Sequence, residues 1–415
     1  MIGIPMTNSL FDSGQEKELP PKEPDFEKGL NILSLFDGLS GGQIALDRLN
    51  IKVDNYYASE IDKYAIQVAK HNYPDTKHLG SVIDLKEEDL LKMNIDMLIG
   101  GSPCQSFSRS GDGTGFDGKS KLFWEYIRVL KTIKPKYFLL ENVMMKKEWE
   151  EVITEAMGVQ PIQICSSLVS AQKRQRLFWT NIPNIKQPED KNITLSDIVT
   201  GDREIIEDNP LVLDTQPKLL KIRNATKQGY LYAKEGDSVN LEVPTSKTRR
   251  GRVGVGKTNT LNTACNYGMV KNGKLVRLNI NDYEALQTIP KDYTATVSEN
   301  QRRKMIGNGW TIDVMCHIFK NIIPKNKKVA SQKIDEKWLS ETIRLGKCIV
   351  SYTQEDDEYV WIYFAYSDSK RDFKRMVDYL KVKFYGMIVE YKTQKPLLFA
   401  SHSSHQGNDI YRWEH

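Results

Sequence analysis

The chain has few cysteines, and their spacing does not suggest that they pair. The five cysteines are scattered through 415 residues and no two form a CxxC pair: Cys104, Cys165, Cys265, Cys316 and Cys348. An odd, scattered set argues against a disulfide framework and is typical of a reducing compartment. The six histidines have no metal-ligand spacing with the cysteines. We therefore expect neither structural disulfides nor a metal site.

Long apolar runs are also missing. No stretch approaches the roughly 18 apolar residues of a membrane span, and the first residues lack the basic-then-apolar pattern of a secretory signal. We therefore expect a cytoplasmic protein without a membrane partner. The formal net charge of +5 is too small to indicate a nucleic-acid partner by itself, so the positions of the basic clusters matter more.

Composition and periodicity divide the chain into five segments. Residues 1–29 are expected to form a polar leader that is mobile or loosely packed, and in residues 30–185 short apolar runs alternate with amphipathic helical patterns. That alternation predicts an α/β fold with a doubly wound, Rossmann-like parallel sheet. Residues 186–276 lose this regularity and carry clustered cations, which predicts an irregular recognition domain. Helical patterning returns in 277–323, and 324–415 is predicted to be a linker followed by a small accessory α/β domain.

The strand predictions rest on short runs rich in Ile, Leu, Val and aromatic residues. In the first domain these are NILSLF, DNYYASE, DMLIGG, KYFLLENV, PIQICSSL and RLFWTNI, and in the last domain KCIVSYT, YVWIYFAY, FYGMIVEY and PLLFAS. The clearest helix spans Lys119 to Ile133, where apolar side chains recur at helical spacing.

Two features predict a nucleoside-bearing ligand at the first strands. The segment FDGLSGG (36–42) follows the first predicted strand, and its glycines allow a tight turn and close backbone approach to a ligand. Glu60 ends the second strand, where an acid can accept hydrogen bonds from ribose hydroxyls. The alternatives are a plain strand-to-helix turn and an ordinary solvated acid.

A candidate nucleophile follows a later strand. Cys104 lies in the turn GGSPCQSFS (100–108), at the sheet edge where ligands bind in this architecture, although most cysteines are simply small buried hydrophobes. Glu141 ends the run KYFLLENV and would be costly to bury without a partner. Arg174 and Arg176 of QKRQR share a face in extended chain, which suits an anion, a carbonyl oxygen or a phosphate.

These motifs together carry a family resemblance. FDGLSGG, the Pro-Cys of GGSPCQSFS, ENV, QKRQR and IGNGW (306–310) resemble, in this order, the signature motifs of cytosine-C5 DNA methyltransferases over about residues 30–323. The resemblance implies a catalytic domain that binds S-adenosylmethionine (30–185 and 277–323) and a target-recognition domain (186–276). It also implies methyl transfer to C5 of a cytosine flipped out of double-stranded DNA, in a bacterial or phage-infected cell.

The resemblance also implies residue roles. Cys104 would add to C6 of cytosine as a thiolate, Glu141 would share a proton with ring N3, and Arg176 would hold the base O2. Arg174 would brace Glu141 or a DNA phosphate. The residues expected at DNA are Gln105, Ser106, Arg249 and Arg250.

At the cofactor, Phe36 would stack on the adenine, Gly38 would approach the methionine end and Glu60 would hold the ribose. The family usually has an acid for the adenine amino group near the third strand, whereas LGSVIDL offers Ser81 or Asp84. The other residues expected at the cofactor are Asp37, Gly41, Ile61, Gly101, Pro103, Leu122, Asn308 and Trp310.

Rival interpretations remain open. GRVGVGKT (251–258) matches a phosphate-binding loop in letters, but neither a strand before it nor a helix after it is predicted. An RNA cytosine methyltransferase on the same fold is one alternative, which activity on DNA against RNA would test. A catalytically inactive DNA-binding relative is the other, which cofactor-dependent methylation of any substrate would exclude. The target sequence, and a role in restriction, phage self-protection or regulation, cannot be read from the residues.

Overall fold

The computed structural model describes residues 24–103, 122–216 and 219–323, together with the backbone of two strands at 349–354 and 360–365. A seven-stranded sheet lies at the centre, in the order β3-β2-β1-β4-β5-β8-β6. Its strands are β1 (Leu30–Leu35), β2 (Val53–Ser59), β3 (Lys77–His78), β4 (Met97–Gly101), β5 (Tyr137–Val143), β6 (Ile162–Cys165) and β8 (Gln175–Thr180). The short strand β7 (Gln172–Lys173) lies outside this sheet.

Helices cover both faces of this sheet. They are α1 (Gly41–Arg48), α2 (Lys63–Asn72), α3 (Glu87–Lys92), α4 (Phe123–Ile133), α5 (Lys147–Met157), α6 (Leu195–Ile198), α7 (Ile280–Leu286), α8 (Glu299–Asn308) and α9 (Ile312–Phe319). Alternate residues of β1 enter different cores: Ile32 packs in the cluster that contains α1 and α9, and Leu33 packs in the cluster that contains α4. Because successive strand residues point to opposite faces, this two-sided burial confirms the doubly wound sheet.

One strand runs against the predicted direction. β1 to β5 pair in parallel, but β8 lies antiparallel to both of its neighbours, β5 and β6. A parallel neighbour requires a crossover of a dozen or more residues, and only residues 166–174 separate β6 from β8. The run RLFWTNI is therefore a strand as predicted, inserted in the opposite sense.

The recognition segment is more regular than its sequence suggests. A three-stranded antiparallel sheet contains β9 (Val212–Gln216), β10 (Leu219–Arg223) and β11 (Tyr230–Lys234). A four-stranded sheet contains β12 (Ser238–Asn240), β13 (Val253–Gly254), β15 (Tyr267–Lys271) and β16 (Lys274–Arg277), while β14 (Thr258–Asn259) pairs with β7. β12, β13 and β14 have only two or three residues, and β9 is exposed at four of its five positions, so these strands show no apolar run in the sequence.

The strands of the recognition segment enclose a small core of their own, which includes Leu220, Ile222 and Val239. The side chains of Tyr267 and Met269 on β15 instead pack in the core beside α1 and α9. The recognition segment is thus anchored to the catalytic domain through β15.

In the C-terminal region, β17 (Ile349–Gln354) and β18 (Val360–Ala365) form an antiparallel pair. They coincide with the predicted strands KCIVSYT and YVWIYFAY, and the remaining C-terminal predictions lie outside the described residues. Within the described part of the chain, no helix has the length and apolarity needed to cross a membrane.

Candidate active site

The turn after β1 presents its backbone to open space. Phe36, Gly38 and Ser40 all have left-handed φ angles, of 57°, 58° and 62°. No atom lies within 4 Å of the position that a Cβ on Gly38 would occupy. The Gly38 N–H donates to Glu60 Oε2 at 2.8 Å, which fixes the turn against the end of β2. A ligand can therefore approach the backbone here closely, as the sequence predicts.

Glu60 orders this edge of the sheet. Besides the N–H of Gly38, its carboxylate accepts the N–H groups of Ile61 at 2.7 Å and Asp62 at 2.8 Å. A carboxylate offers about four acceptor positions, so roughly one remains for a ribose hydroxyl. The side chains of Ile61 and Ile83 are 75% and 60% exposed. Exposed apolar side chains such as these mark a candidate ligand surface.

The segment after β3 lies at the same edge. Ser81 caps a short 3-10 helix (Val82–Asp84), and its hydroxyl accepts the N–H of Ile83 at 3.3 Å. The preceding Gly80 has a φ of +75° and open space around its Cβ position. The Asp84 side chain is exposed. Which of Ser81 and Asp84 faces an adenine amino group stays a prediction.

Asp37 lies in the turn, but its carboxylate is directed into the protein. Tyr56 donates its hydroxyl to Asp37 Oδ1 at 2.8 Å, and the Ser40 hydroxyl donates to Oδ2. Burial raises the pKa of Asp37 to about 6, although these hydrogen bonds partly oppose the shift. The carboxylate therefore holds the turn from beneath, and a cofactor contact of Asp37 stays a prediction.

The candidate catalytic carboxylate lies at the carboxyl edge of β5. Glu141 pairs in register with Gly101 of β4 and is 9% exposed. Arg176 Nε lies 2.8 Å from Glu141 Oε1, and Trp310 Nε1 donates to Oε2 at 3.2 Å. A Cβ on Gly101 would lie 3.0 Å from both Glu141 Oε2 and Trp310 Nε1. Four predicted residues therefore meet here, and the glycine leaves room for the other three.

The two arginines of QKRQR do not act as a pair. Arg176 contacts Glu141, which was one of the two roles expected of Arg174, the other being a DNA phosphate. Arg174 is 3% exposed and donates to the carbonyl oxygens of Leu261 at 3.1 Å, Gly307 at 3.1 Å and Gly309 at 2.9 Å. Arg174 lies between β7, which ends at Lys173, and β8, which begins at Gln175.

The IGNGW segment is held close to the recognition segment. A Cβ on Gly307 would lie 2.1 Å from the Asn262 carbonyl oxygen, so only glycine permits this backbone contact. Trp310 then lies beside Gly41, with its Cε3 atom 3.7 Å from the Cβ position there. The segment therefore brings Trp310 close to both Gly41 and Glu141.

Sequence reasoning missed Gln287, which supports this segment from beneath. It is fully buried and donates to the carbonyl oxygens of Ile306 at 2.8 Å and Gly309 at 3.1 Å. Its side-chain Oε1 accepts from Thr311 Oγ1 at 2.7 Å and from Gln172 Nε2 at 3.0 Å. The available signal was an amide between apolar residues in EALQTIP, which predicts a buried polar network.

The remaining predicted site residues are less informative. Leu122 is the N-cap residue of α4 and packs against the core that contains α4. Asn308 is the last residue of α8 and is exposed. Pro103 is the last described residue before a gap. The predictions for Cys104, Gln105 and Ser106 lie outside the described residues. In the parts that the structure describes, no cluster of three His, Cys, Asp or Glu side chains could hold a metal ion.

The predicted DNA-contacting arginines differ in their surroundings. Arg249 is half-buried and its Nη2 lies 2.5 Å from Glu242 Oε2, whereas Arg250 is exposed. In GRVGVGKT, two short strands flank a turn and no helix follows. Lys257 donates to the carbonyl oxygens of Ser167 and Ser170. The rejection of a phosphate-binding loop is therefore confirmed.

Comparison with known proteins matches the chain to DNA methyltransferases. The family model described as C-5 cytosine-specific DNA methylase matches residues 30–324. The chain is 27% identical over 327 residues to the type II methyltransferase M.HhaI of Haemophilus parahaemolyticus, an alignment that covers 71% of this chain and 94% of that protein. It is 39% identical over 167 residues to the orphan methyltransferase M.SPRI of Bacillus phage SPR, over 37% and 38% of the two chains. The solved structure of the methyltransferase EhMeth of Entamoeba histolytica shares the fold, with a TM-score of 0.50, 14% identity and coverage of 71% and 98%.

Proposed function

The chain belongs to the family of C-5 cytosine-specific DNA methylases, and from that premise we propose how its own residues perform the reaction. The enzyme transfers a methyl group from S-adenosylmethionine to C5 of a cytosine in DNA. The observation that carries the proposed mechanism is the position of Glu141, buried at the sheet edge between Arg176 and Trp310.

Cys104 is the proposed nucleophile. C5 of cytosine is a poor nucleophile until a thiolate adds to C6, which forms an S–C6 bond and moves electron density towards C5. When bound, S-adenosylmethionine supplies an electrophilic methyl group. Loss of the C5 proton then releases the thiolate and restores the aromatic ring. The base must leave the helix to reach such a nucleophile, so the substrate is a flipped cytosine of double-stranded DNA.

Glu141 serves as the acid that shares a proton with ring N3 as the thiolate adds. Arg176 and Trp310 each hold one of its oxygens, which keeps the carboxyl group in one orientation. The Arg176 guanidinium has five N–H donors, and its Nε faces Glu141 while Nη1 bonds the Gln175 carbonyl oxygen. The other donors can hold the base O2. For Arg174 we propose a positioning role, since it bonds three backbone carbonyls around the IGNGW segment.

The cofactor fits the open turn beside Glu60. In the proposed arrangement, Gly38 allows the methionine end to approach, Glu60 accepts a ribose hydroxyl, and Ile61 and Ile83 cover the adenine faces. The exposed apolar side chains and the empty space at Gly38 support this assignment. Phe36 at the turn completes the adenine site.

The domain roles follow from the same premise. Residues 30–185 and 277–323 form the catalytic domain, 186–276 read the target, and 324–415 are accessory. The bacterial and phage relatives favour the cytoplasm of a bacterium or a phage-infected cell as the location, and their names include both type II and orphan enzymes.

The first experiment maps the product. The protein is expressed in a methylation-deficient host, and 5-methylcytosine is mapped on plasmid DNA and on total RNA, with Cys104→Ala as the control. Methylated DNA at a defined sequence supports the proposal. Methylation confined to RNA would favour an RNA methyltransferase, and no methylation of either would favour an inactive relative.

A second experiment tests the covalent step. A duplex with 5-fluorocytosine at the mapped target lacks the proton needed for release, so a protein–DNA adduct should persist on a denaturing gel. Cys104→Ala should abolish the adduct, and Glu141→Gln should slow its formation by roughly 10²-fold, as expected for the loss of a positioned acid. An adduct that survives in Cys104→Ala would refute the assignment of the nucleophile.

A further inference from the structure

Two carboxylates converge on the turn after β1. The Asp37 side chain lies beneath the turn, where it accepts the hydroxyl of Tyr56 at 2.8 Å and that of Ser40. The Glu60 side chain lies beside the turn, where its Oε2 accepts the Gly38 N–H at 2.8 Å. The backbone at Gly38, which is open to a ligand, therefore has two carboxylates as immediate neighbours.

These two acids have no cationic side chain as a partner in the described part of the chain. Neither Asp37 nor Glu60 forms an ion pair there with a lysine, arginine or histidine. Lys304 reaches the end of β2, but its Nζ lies 2.7 Å from Asp62 Oδ2 and is matched by that carboxylate. The helix α1 begins at Gly41, and a helix N-terminus offers only about half a positive charge. The turn therefore carries an excess of negative charge.

The surroundings of Asp37 make its charge costly. Burial raises the pKa of Asp37 to about 6, and repulsion from Glu60 acts in the same direction. The other ionisable groups around it are the phenols of Tyr56 and Tyr293, and burial raises the pKa of each, so both stay neutral. Hydrogen bonds thus stabilise the ionised Asp37, but an opposite charge is missing, and a carboxylate out of water requires one.

The methyl donor has the charge that the turn lacks. S-adenosylmethionine carries a sulfonium and an ammonium group against a single carboxylate, so it has a net positive charge. The demethylated product, S-adenosylhomocysteine, has lost the sulfonium charge and is neutral overall. In the proposed site the methionine end lies at Gly38, the neighbour of Asp37 in the chain. The Asp37 carboxylate therefore attracts the donor through a Coulombic interaction that the product does not share.

We propose that Asp37 is the countercharge of the sulfonium group and distinguishes the methyl donor from the demethylated product by charge. This inference rests on the proposed function, because the cofactor is the cation that matches the carboxylate. Asp37 acts across the turn without touching the ligand, since Tyr56 and Ser40 hold its carboxylate underneath. Contacts with the adenine and the ribose are common to both molecules. The charge of Asp37 therefore favours replacement of the product by a new donor after each methyl transfer.

The test measures the dissociation constants of S-adenosylmethionine and S-adenosylhomocysteine by titration calorimetry in the absence of DNA. Asp37→Asn keeps the size of the side chain, and it should weaken binding of the donor on the order of tenfold and binding of the product by less than about twofold. Asp47→Asn is the matched control. Asp47 also accepts a tyrosine hydroxyl, that of Tyr73 at 2.8 Å, but it lies near the C-terminal end of α1. Its replacement should leave the ratio of the two dissociation constants unchanged.

The pH dependence of binding tests the same charge in the wild type. Protonation removes the charge of Asp37, so the affinity for the donor should fall relative to that for the product as the pH is lowered through about 6. Asp37→Asn should remove most of this dependence. Equal losses of affinity for both ligands in Asp37→Asn, or a wild-type ratio that does not change with pH, would overturn the inference. A wild type that binds S-adenosylmethionine but methylates neither DNA nor RNA would instead refute the proposed function.

Discussion

Replacing Trp310 with phenylalanine should separate its contact with Glu141 from its packing. The substitution keeps an aromatic ring beside Gly41 but removes the Nε1–H that donates to Glu141 Oε2 at 3.2 Å. A hydrogen bond to a charged group contributes about 1.5–3 kcal/mol, and this long one belongs at the lower end, which corresponds to a rate loss of roughly tenfold. We expect that loss in single-turnover methyl transfer, with the affinity for S-adenosylmethionine changed by less than about threefold.

Trp179 provides a control for the substitution itself. It is fully buried and donates its Nε1–H to Thr154 Oγ1 at 2.9 Å, between β8 and α5. Trp179→Phe therefore also removes one indole hydrogen bond, and it should lower the melting temperature without slowing methyl transfer in the folded protein.

A double-mutant cycle gives the decisive comparison. If Trp310 acts through Glu141, Trp310→Phe should cost much less in a Glu141→Gln background than in the wild type. Equal losses in both backgrounds, or a loss confined to cofactor affinity, would show that Trp310 acts only as a wall of the cofactor site.

Three further outcomes are expected. Arg250→Ala should weaken DNA binding and flatten its salt dependence more than Arg249→Ala does, because Glu242 already neutralises Arg249; equal effects in binding titrations at several salt concentrations would contradict this. As the pH rises from about 4 to about 6, the free energy of unfolding of the wild type should fall relative to that of Asp37→Asn by on the order of 3 kcal/mol. The reason is that the raised pKa of Asp37 makes the folded protein bind more protons than the unfolded chain in that pH range. Denaturant unfolding at several pH values measures this free-energy difference, and a difference that does not change with pH would exclude a raised pKa. A chain that ends near Pro324 should fold and keep methyl-transfer activity, since every family motif precedes it, and a folded but inactive product would show that the accessory segment contributes to the reaction.

The sequence allowed six of the seven strands of the central sheet to be predicted because each contains a run of apolar or aromatic residues. The runs from NILSLF to RLFWTNI all coincide with strands, and the helix predicted over 119–133 is described from Phe123. The recognition segment was harder, since strands such as Val253–Gly254 have only two residues and no period. Its order comes from pairing between strands that are distant in sequence, which a local pattern does not record.

The sequence by itself determined which residue types stand at the strand ends: the glycines of the first turn, Glu60 and Glu141. Their chemistry follows from their types and from the rule that parallel strands end at one edge. Only the tertiary structure decided their partners. Pairing of β8 with β5 places Arg176 beside Glu141, and contact of Gly307 with Asn262 accompanies the approach of Trp310 from far along the chain. These outcomes depend on which backbone atoms meet in three dimensions, and side-chain types alone do not specify that.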